Sequence, residues 1–341
     1  MKESKKTKKG GIRSAVIILI AIMMLSAIFA FAAGRFMRMP EGKGGSVWKD
    51  AERGRYNFLI MGQDRAAGLS DVMMLASFNV TAREISVLQI PRDTYFNYTD
   101  RDYKKINGAP AACGGAEEFS SLLSRELGVP IDFYVSLDLD AFARIVDAMG
   151  GIKVRVPCDM EYSDPYQSLT VKLRAGEQVL DGEAAAQLVR FRSGYVRGDV
   201  SRIDTQKIFL ASAARRVAEM RDPIAIYKTF VEASRGVQTN LSGREAAFFA
   251  YHFTQVDENS IRFATAPGED IQSEESGAWY YILSKSAMNE IDKILFDAEN
   301  FDKNSKFVDK RVKSFYDIYN KYCSYKIYSS KDILNGSVEI K

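Results

Sequence analysis

The sequence has few of the side chains that nucleophilic hydrolases use in catalysis: it contains one histidine, His252, and three cysteines. A Ser–His–Asp or Cys–His mechanism would have to use His252, which lies in an apolar stretch where a packed structural role is the simpler interpretation. The cysteines, Cys113, Cys158 and Cys323, lack the C-x-x-C spacing of metal sites, and their odd number leaves at least one outside any disulfide within the chain. A Cys113–Cys158 disulfide and three unpaired thiols are both compatible with this pattern.

The body of the chain also lacks an excess of positive charge. Eight basic residues lie within residues 1–38 beside a single acid, Glu3, so residues 39–341 carry 39 basic and 43 acidic side chains. Domains that bind nucleic acid are usually basic. The charge distribution therefore argues against a nucleic-acid partner and against a role in transcriptional regulation.

One long hydrophobic run is present, over residues 15–33 (AVIILIAIMMLSAIFAFAA), and it contains no charge. At a rise of about 1.5 Å per residue, a helix of this length nearly spans the hydrocarbon core of a bilayer. A cleaved signal peptide is the alternative, but its apolar region is usually about 7–15 residues long. Lysines precede the run, which predicts a cytoplasmic N-terminus and an extracellular body on a single-pass anchor at the cell membrane.

The rest of the chain alternates between strand and helix patterns. Tyr56–Met61 is predicted as a strand, and the apolar run Val72–Ala76 predicts a second strand that is covered on both faces. A turn at Asn79–Glu84 leads into a third strand that ends before Pro91, and Ala116–Leu127 has a helical pattern. We therefore predict an α/β fold with a mixed central sheet flanked by helices in three layers, preceded by one N-terminal transmembrane helix.

These patterns divide the chain into five parts. The predicted parts are a basic cytoplasmic tail (1–14), a transmembrane anchor (15–34), a stalk (35–54), an α/β domain (55–300) and a lysine- and tyrosine-rich extension (301–341). The sequence assigns no role to the extension.

Two aspartates lie at the junction of the first two predicted strands. Asp64 follows the first strand and Asp71 opens the second, so a short loop joins them. Mg²⁺ is usually held by one or two carboxylates together with phosphate oxygens of a substrate. Capping of turns or helix ends is the alternative role for both residues.

Basic side chains recur near the ends of the predicted elements: Arg92, Lys105, Arg190, Arg192 and Arg202. Arg202 and Gln206 are four residues apart on a predicted helix and therefore share one face. A guanidinium group can bind phosphate through two parallel hydrogen bonds. The sequence thus offers a phosphate site, with ordinary surface charge as the alternative.

The order and spacing of several short motifs resemble the LytR–CpsA–Psr family. The motifs are G-x-D-R, S-D before an apolar strand, I-P-R-D-T, K-I-N, G-G-I-x-V, V-R-F-R and G-D-x-x-R-x-x-x-Q, and the resemblance covers roughly Tyr56–Met220. It implies a phosphotransferase on the outer face of the cytoplasmic membrane. Such an enzyme would move a glycopolymer, of the teichoic acid or capsular polysaccharide type, from an undecaprenyl-pyrophosphate carrier to peptidoglycan.

The resemblance also implies roles for individual residues. Asp64 and Asp71 would hold Mg²⁺, and an apolar tunnel would hold the polyprenyl tail. The residues implied to bind the pyrophosphate are Arg92, Lys105, Arg190, Arg192, Arg202 and Gln206. Phosphoryl transfer needs mainly positioning and charge neutralisation, so it requires neither histidine nor cysteine. Arg92 and Arg202 would act in catalysis, and Asp93 would either accept the proton of the acceptor hydroxyl or brace an arginine.

The sequence departs from the family at Thr205, where the family usually has an arginine directly before the glutamine. One positive charge near the site is therefore missing. Two alternatives to glycopolymer transfer share the same residues. One is a polyprenyl-pyrophosphate hydrolase, in which water replaces the sugar acceptor, and the other is a non-catalytic protein that binds polyprenyl lipids and regulates the envelope.

Overall fold

The computed structural model describes residues 54–64, 68–99, 104–164, 169–191, 199–220, 228–229, 232, 235–253, 255–298, 301 and 306–338. The predicted cytoplasmic tail, the predicted anchor and all but the last residue of the predicted stalk lie outside these ranges. Among the helices formed by the described residues, none is long and apolar enough to cross a membrane.

The described residues form a mixed sheet with helices on both of its faces. In chain order the strands are β1 (Arg55–Asp64), β2 (Leu69–Asn79), β3 (Glu84–Ile90), β4 (Phe133–Asp138), β5 (Ile152–Val156), β6 (Met160–Asp164), β7 (Leu169–Leu173), β8 (Gly176–Leu180), β9 (Val237–Thr239), β10 (Ile261–Thr265), β11 (Gly268–Gln272), β12 (Trp279–Leu283) and β13 (Ile327–Ser329). Seven of these strands form the main sheet in the order β13-β10-β3-β2-β1-β4-β9. The pairs β1–β4 and β3–β10 are parallel, and the other neighbours are antiparallel.

The helices cover the two faces of this sheet. They are α1 (Ala109–Ala112), α2 (Ala116–Leu127), α3 (Leu139–Ala148), α4 (Gly182–Arg190), α5 (Asp199–Glu219), α6 (Gly243–Phe253), α7 (Lys285–Phe296), α8 (Lys313–Asn320) and α9 (Ser330–Leu334). Buried side chains of α3, α4, α5 and α6 form one apolar cluster with the sheet, and those of α2, α7 and α8 form a second. This arrangement confirms the predicted three-layer α/β fold.

Strand β2 shows why its sequence reads as an unbroken apolar run. Met74 and Ala76 belong to the cluster on one face of the sheet, whereas Met73 and Leu75 belong to the cluster on the other face. A strand that is covered by helices on both faces gains nothing from polar alternation. The predicted hairpin is also present, with Asn79 paired to Glu84 across the turn between β2 and β3.

Helix α4 begins where it packs closely against α3. The side chain of Asp181 caps α4 by accepting a hydrogen bond from the backbone N–H of Ala184. The next residue, Gly182, donates its own N–H to the carboxylate of Asp147 on α3, with an N···O distance of 2.7 Å. The two helices can therefore approach each other at Gly182 because no side chain separates their backbones.

Replacing Gly182 by alanine is expected to destabilise the protein. A Cβ atom at this position would collide with the backbone carbonyl of Ala143, which cannot move without shifting α3. Overpacking of this kind costs about 1–3 kcal/mol of the free energy of unfolding. Urea denaturation would measure the loss, with Glu183→Ala at the exposed neighbouring position as a control that should change stability by less than about 0.5 kcal/mol. Equal stabilities of the two variants would contradict the close approach.

Residues after 300 contribute to the same fold. Strand β13 pairs with β10 at the edge of the main sheet, and Phe315 and Tyr319 of α8 are buried in one of the two apolar clusters. The segment 301–341, to which the sequence assigned no role, thus supplies an edge strand and part of the core.

Cys113, Cys158 and the histidine pack against apolar or aromatic side chains. All three cysteines are free, and Cys113 and Cys158 pack against the apolar clusters on opposite faces of the sheet. The alternative of a Cys113–Cys158 disulfide is therefore wrong, because the central sheet separates the two thiols. His252 packs against the ring of Phe248, with 4.5 Å between ring centroids, and burial lowers the pKa of its imidazole.

Candidate functional site

A β-bulge positions Asp71 at one end of the central strands. Gly62 pairs with Val72 and Gln63 pairs with Ser70, so Asp71 is the extra residue on β2. Bulges of this kind redirect a side chain and are common beside active sites. Asp71 is only 5% exposed, and a carboxylate at such a depth requires a charged or hydrogen-bonding partner.

Arg92 supplies that partner and links two carboxylates. Its Nη1 atom lies 2.8 Å from Oδ1 of Asp71, and its Nε atom lies 3.8 Å from Oδ1 of Asp93. Nζ of Lys105 lies 2.8 Å from the same oxygen of Asp93. Two cations and two carboxylates therefore alternate in one partly buried network. In these contacts Asp93 braces Arg92 and Lys105, and its role as a proton acceptor stays a prediction.

The backbone beside this network is fixed by hydrogen bonds. Pro91 ends β3, and its carbonyl accepts hydrogen bonds from both the N–H and the hydroxyl of Thr94. The segment that carries Lys105 lies alongside, because Ile106 donates its N–H to the carbonyl of Thr94 and Asn107 donates to the carbonyl of Arg92. The loop after β3 and the loop that carries Lys105 thus hold each other in place.

A second group of polar residues is connected to β3 through Gln89. Gln89, three residues before Arg92, donates through Nε2 to Oε1 of Gln206 on α5 at 3.4 Å. Gln206 donates in turn to the carbonyl of Val189 near the end of α4 at 3.3 Å. The next residue, Arg190, closes α4 and is 9% exposed. Gln206 therefore joins β3, α4 and α5 at one place.

Arg202 lies one helical turn before Gln206 on α5. It is 1% exposed, and its Nε and Nη1 atoms are buried. Burying a guanidinium group to this depth is costly unless hydrogen bonds or an opposite charge offset the lost hydration. Thr205, at the position where the family usually has arginine, is fully buried and donates its hydroxyl to the carbonyl of Ser201 at 3.1 Å.

The structure thus brings together most of the residues predicted from the sequence. The first group is Asp71, Arg92, Asp93 and Lys105, the second is Arg190, Arg202 and Gln206, and Gln89 of β3 connects them. Asp64 pairs through its backbone with Leu69, close to the bulge at Asp71, and its side chain lies outside the described residues. Arg192 lies outside them altogether. The sequence analysis missed Gln89, although a buried glutamine within the apolar run before Pro91 was a usable signal.

The donor set at this site fits Mg²⁺ bound with substrate. Asp71 offers a buried carboxylate next to the strand end that carries Asp64, and hard oxygen ligands suit Mg²⁺. Within the described residues, no three histidine, cysteine or acidic side chains are grouped so that they could hold a metal. In phosphate chemistry one or two carboxylates usually bind Mg²⁺, and phosphate oxygens and water complete its shell. Binding of Mg²⁺ by Asp64 and Asp71 stays a prediction.

Comparisons with known proteins agree with the fold. TagV of Bacillus subtilis, named as a polyisoprenyl-teichoic acid–peptidoglycan teichoic acid transferase, is 29% identical over 255 residues, which cover 72% of this chain and 65% of TagV. TagU of Oceanobacillus iheyensis, which carries the same enzyme name, is 26% identical over 249 residues, which cover 70% of this chain and 75% of TagU. The match thus spans slightly less than two thirds of TagV and three quarters of TagU.

The similarity extends to three-dimensional structure. The crystal structure of B. subtilis TagV superposes with a TM-score of 0.62 at 27% identity, covering 71% of this chain and 96% of the solved chain. The family model described as the LytR_cpsA_psr family matches residues 37–297, which is most of the chain and includes the whole candidate site. On the match of this model and the agreement in fold, the chain belongs to the LytR–CpsA–Psr family.

Proposed function

We propose that this protein transfers a glycopolymer of the teichoic acid or capsular polysaccharide type from an undecaprenyl-pyrophosphate carrier to peptidoglycan. The observation that carries the proposal is the network of Asp71, Arg92, Asp93 and Lys105 at the end of β3, with Arg202 and Gln206 beside it. The names of the relatives TagV and TagU as teichoic acid transferases support the choice of polymer class. We further propose that residues 15–34 anchor the protein in the cell membrane, with the catalytic domain outside.

The proposed reaction exchanges one phosphate linkage for another. The oxygen of an acceptor hydroxyl on peptidoglycan forms a bond to the phosphorus that carries the glycan, and the bridging P–O bond of the pyrophosphate breaks. The glycan is then joined to the acceptor by a phosphodiester, and polyprenyl phosphate leaves with the bridging oxygen. The proton of the hydroxyl passes to a base, for which Asp93 is the candidate.

The residues of the site suit this reaction because its transition state concentrates negative charge on phosphate oxygens. Preorganised cations stabilise that charge without reorienting during the reaction. Arg92 is already held by Asp71, and Lys105 by Asp93, so their positions are set before substrate arrives. Arg190 and Arg202 would bind the pyrophosphate from the side of α4 and α5. Mg²⁺, held by Asp64 and Asp71 in this proposal, supplies further charge neutralisation when bound.

Transfer by the full-length protein in detergent micelles would test the proposal. The reaction would contain Mg²⁺, a short polyprenyl-pyrophosphate oligosaccharide and soluble peptidoglycan fragments, and mass spectrometry would follow both polyprenyl phosphate and the glycosylated acceptor. We expect both products in equal amounts, and we expect EDTA to abolish them. Release of polyprenyl phosphate without attachment of the glycan to the acceptor would show that the protein is a hydrolase rather than a transferase. Tight binding of the lipid with neither product would favour the non-catalytic alternative.

A further inference from the structure

A cleft of about 540 Å³ lies beside the candidate site, at the carboxyl ends of β3 and β10. These two strands are parallel neighbours, so the segments that follow them leave the sheet at the same edge. Ala266, which lines the cleft, donates its N–H to the carbonyl of Gln89, and Tyr281, which also lines it, donates its N–H to the carbonyl of Asp93. Two lining residues of the cleft are thus hydrogen-bonded to the backbone of the segment that carries Gln89 and Asp93. Its volume is within the range of about 300–1,000 Å³ that is typical of ligand sites.

The C-terminal segment completes one wall of this cleft. Ser324, Tyr325, Lys326 and Tyr328 line it, and all four lie beyond the residues 37–297 that the family model matches. Several contacts hold the segment in place: β13 pairs with β10, and Nζ of Lys321 lies 2.6 Å from Oε1 of Glu269. The wall is therefore preformed, and it lies outside the part of the chain that the family model matches.

The lining combines aromatic rings with hydrogen-bonding groups. Tyr281, Tyr325 and Tyr328 line the cleft together with the carboxylates of Asp204, Glu269 and Asp270. The ammonium group of Lys207 lies 5.7 Å from the centre of the Tyr328 ring and 2.8 Å from Asp204. Tyrosine offers a rigid apolar ring and a polar tip, and carboxylates accept hydrogen bonds from hydroxyl groups. A sugar presents a C–H face and a rim of hydroxyls, which match these two kinds of group.

The charges of the lining distinguish between the two substrates of the proposed reaction. The lining contains three acidic residues and two lysines, Lys207 and Lys326. Lys207 pairs with Asp204, and Glu269 pairs with Lys321 next to the lining, so the charges nearly balance. A polymer rich in phosphate would find no complementary potential there. Such a polymer would find a complementary positive potential at the basic residues of the candidate site, Arg92, Lys105, Arg190 and Arg202. An uncharged glycan suits the cleft, and the pyrophosphate of the donor suits the arginines.

We propose that this cleft binds the glycan strand of the peptidoglycan acceptor, and that the C-terminal segment thereby contributes to acceptor recognition. This inference rests on the proposed function for the identity of the acceptor. Because Tyr281 donates its N–H to the carbonyl of Asp93, a sugar in the cleft would lie close to the loop that carries Arg92 and Asp93. Tyr325 is the residue to test, because it lines the cleft, belongs to the C-terminal segment and lies outside the proposed pyrophosphate site.

Binding of chitotetraose, a soluble β-1,4-linked N-acetylglucosamine tetramer, would test this inference without any need for turnover. Titrations by isothermal calorimetry would compare the full-length protein in detergent with its Tyr325→Ala and Tyr322→Ala variants. Tyr322 is a matched control, because it lies on the same segment, is 55% exposed and contacts Glu290, as Tyr325 does, but does not line the cleft. We expect Tyr325→Ala to weaken binding by roughly tenfold, the effect of losing one aromatic contact, and Tyr322→Ala to leave it unchanged.

Each outcome decides the inference. Absence of binding by the unchanged protein, or equal affinity of the Tyr325→Ala variant with an unchanged unfolding temperature, would overturn it. In the transfer assay, Tyr325→Ala should raise KM for the peptidoglycan fragment and leave KM for the lipid donor unaltered, and a rise in the donor KM instead would also overturn it. Binding that depends on Tyr325 in a protein that transfers nothing would support the glycan cleft and refute the proposed function.

Discussion

Replacing Arg92 by alanine is expected to lower the rate of glycopolymer transfer by about 10²–10³-fold, the usual effect of removing one preorganised group from a site where charge develops. Arg92 is held by the buried carboxylate of Asp71 and also contacts Asp93. Its loss would remove a positive charge and also break the ion pair with Asp71. Arg92→Lys should recover only part of the rate, because an ammonium group keeps the charge but cannot bind through two parallel hydrogen bonds.

The rate is measured as release of polyprenyl phosphate with attachment of the glycan, at a saturating concentration of donor. Arg174→Ala is a suitable control, since Arg174 is a 79% exposed arginine that pairs with Asp159 on the surface. Thermal unfolding of each variant separates loss of catalysis from loss of folding. If a folded Arg92→Ala protein kept more than about a tenth of the rate, Arg92 would not be a catalytic residue.

The stability of the folded domain is expected to fall as the pH rises above the usual range of an aspartate, because of Asp292. This residue of α7 is fully buried, and within the described residues neither of its carboxyl oxygens has a hydrogen-bond partner. Burial raises its pKa well above the ordinary value, so the folded protein holds a proton that the unfolded chain releases. The free energy of unfolding therefore falls by up to about 1.4 kcal/mol for each pH unit. The fall begins at about pH 4, the pKa of an aspartate in the unfolded chain, and ends at the raised pKa of Asp292 in the folded protein.

Urea denaturation would measure this effect in the unchanged protein and in the Asp292→Asn variant. The measurements would run from about pH 5 to about pH 8, a range that lies above the pKa of an aspartate in an unfolded chain. The asparagine side chain has the same shape and does not titrate, so the variant should lose most of the slope and should be the more stable protein at the upper end of the range. Asp297→Asn is the matched control. Asp297 is exposed at the end of the same helix and has a positive φ of 57°, which asparagine tolerates. Equal slopes for Asp292→Asn and the unchanged protein would show that Asp292 is ionised in the fold.

Much of the fold could be predicted from local patterns. The apolar run on β2, the stop at Gly128 after α2 and the capping aspartates before α3 and α4 are signals that the chain carries within a few residues. Local signals did not reveal the role of the segment after residue 300. Its strand β13 consists of three half-buried residues and becomes a strand only by pairing with β10, more than sixty positions earlier in the chain.

The candidate site shows the same division. The motif I-P-R-D-T and the position of arginines at segment ends were sufficient to mark Arg92, Arg190 and Arg202 as candidate site residues. Which charge meets which partner could not be inferred, because it depends on a bulge that skips Asp71 in the pairing of β1 with β2. The contact between Gln89 and Gln206 joins residues 117 positions apart, and only the packing of α5 on the sheet creates it.

The order of residues along the chain was enough to establish the class of the protein: an α/β domain with few residues for nucleophilic chemistry, a series of basic residues near segment ends and the motifs of one family. Three features depend on the folded chain: the ion pair of Asp71 with Arg92, the position of Cys113 and Cys158 on opposite faces of the sheet, and the cleft that the C-terminal tyrosines line. The physical reason is the range of the interactions involved. Periodicity, caps and turns act within a few residues, whereas ion pairs, disulfides and clefts depend on which distant segments the sheet brings together.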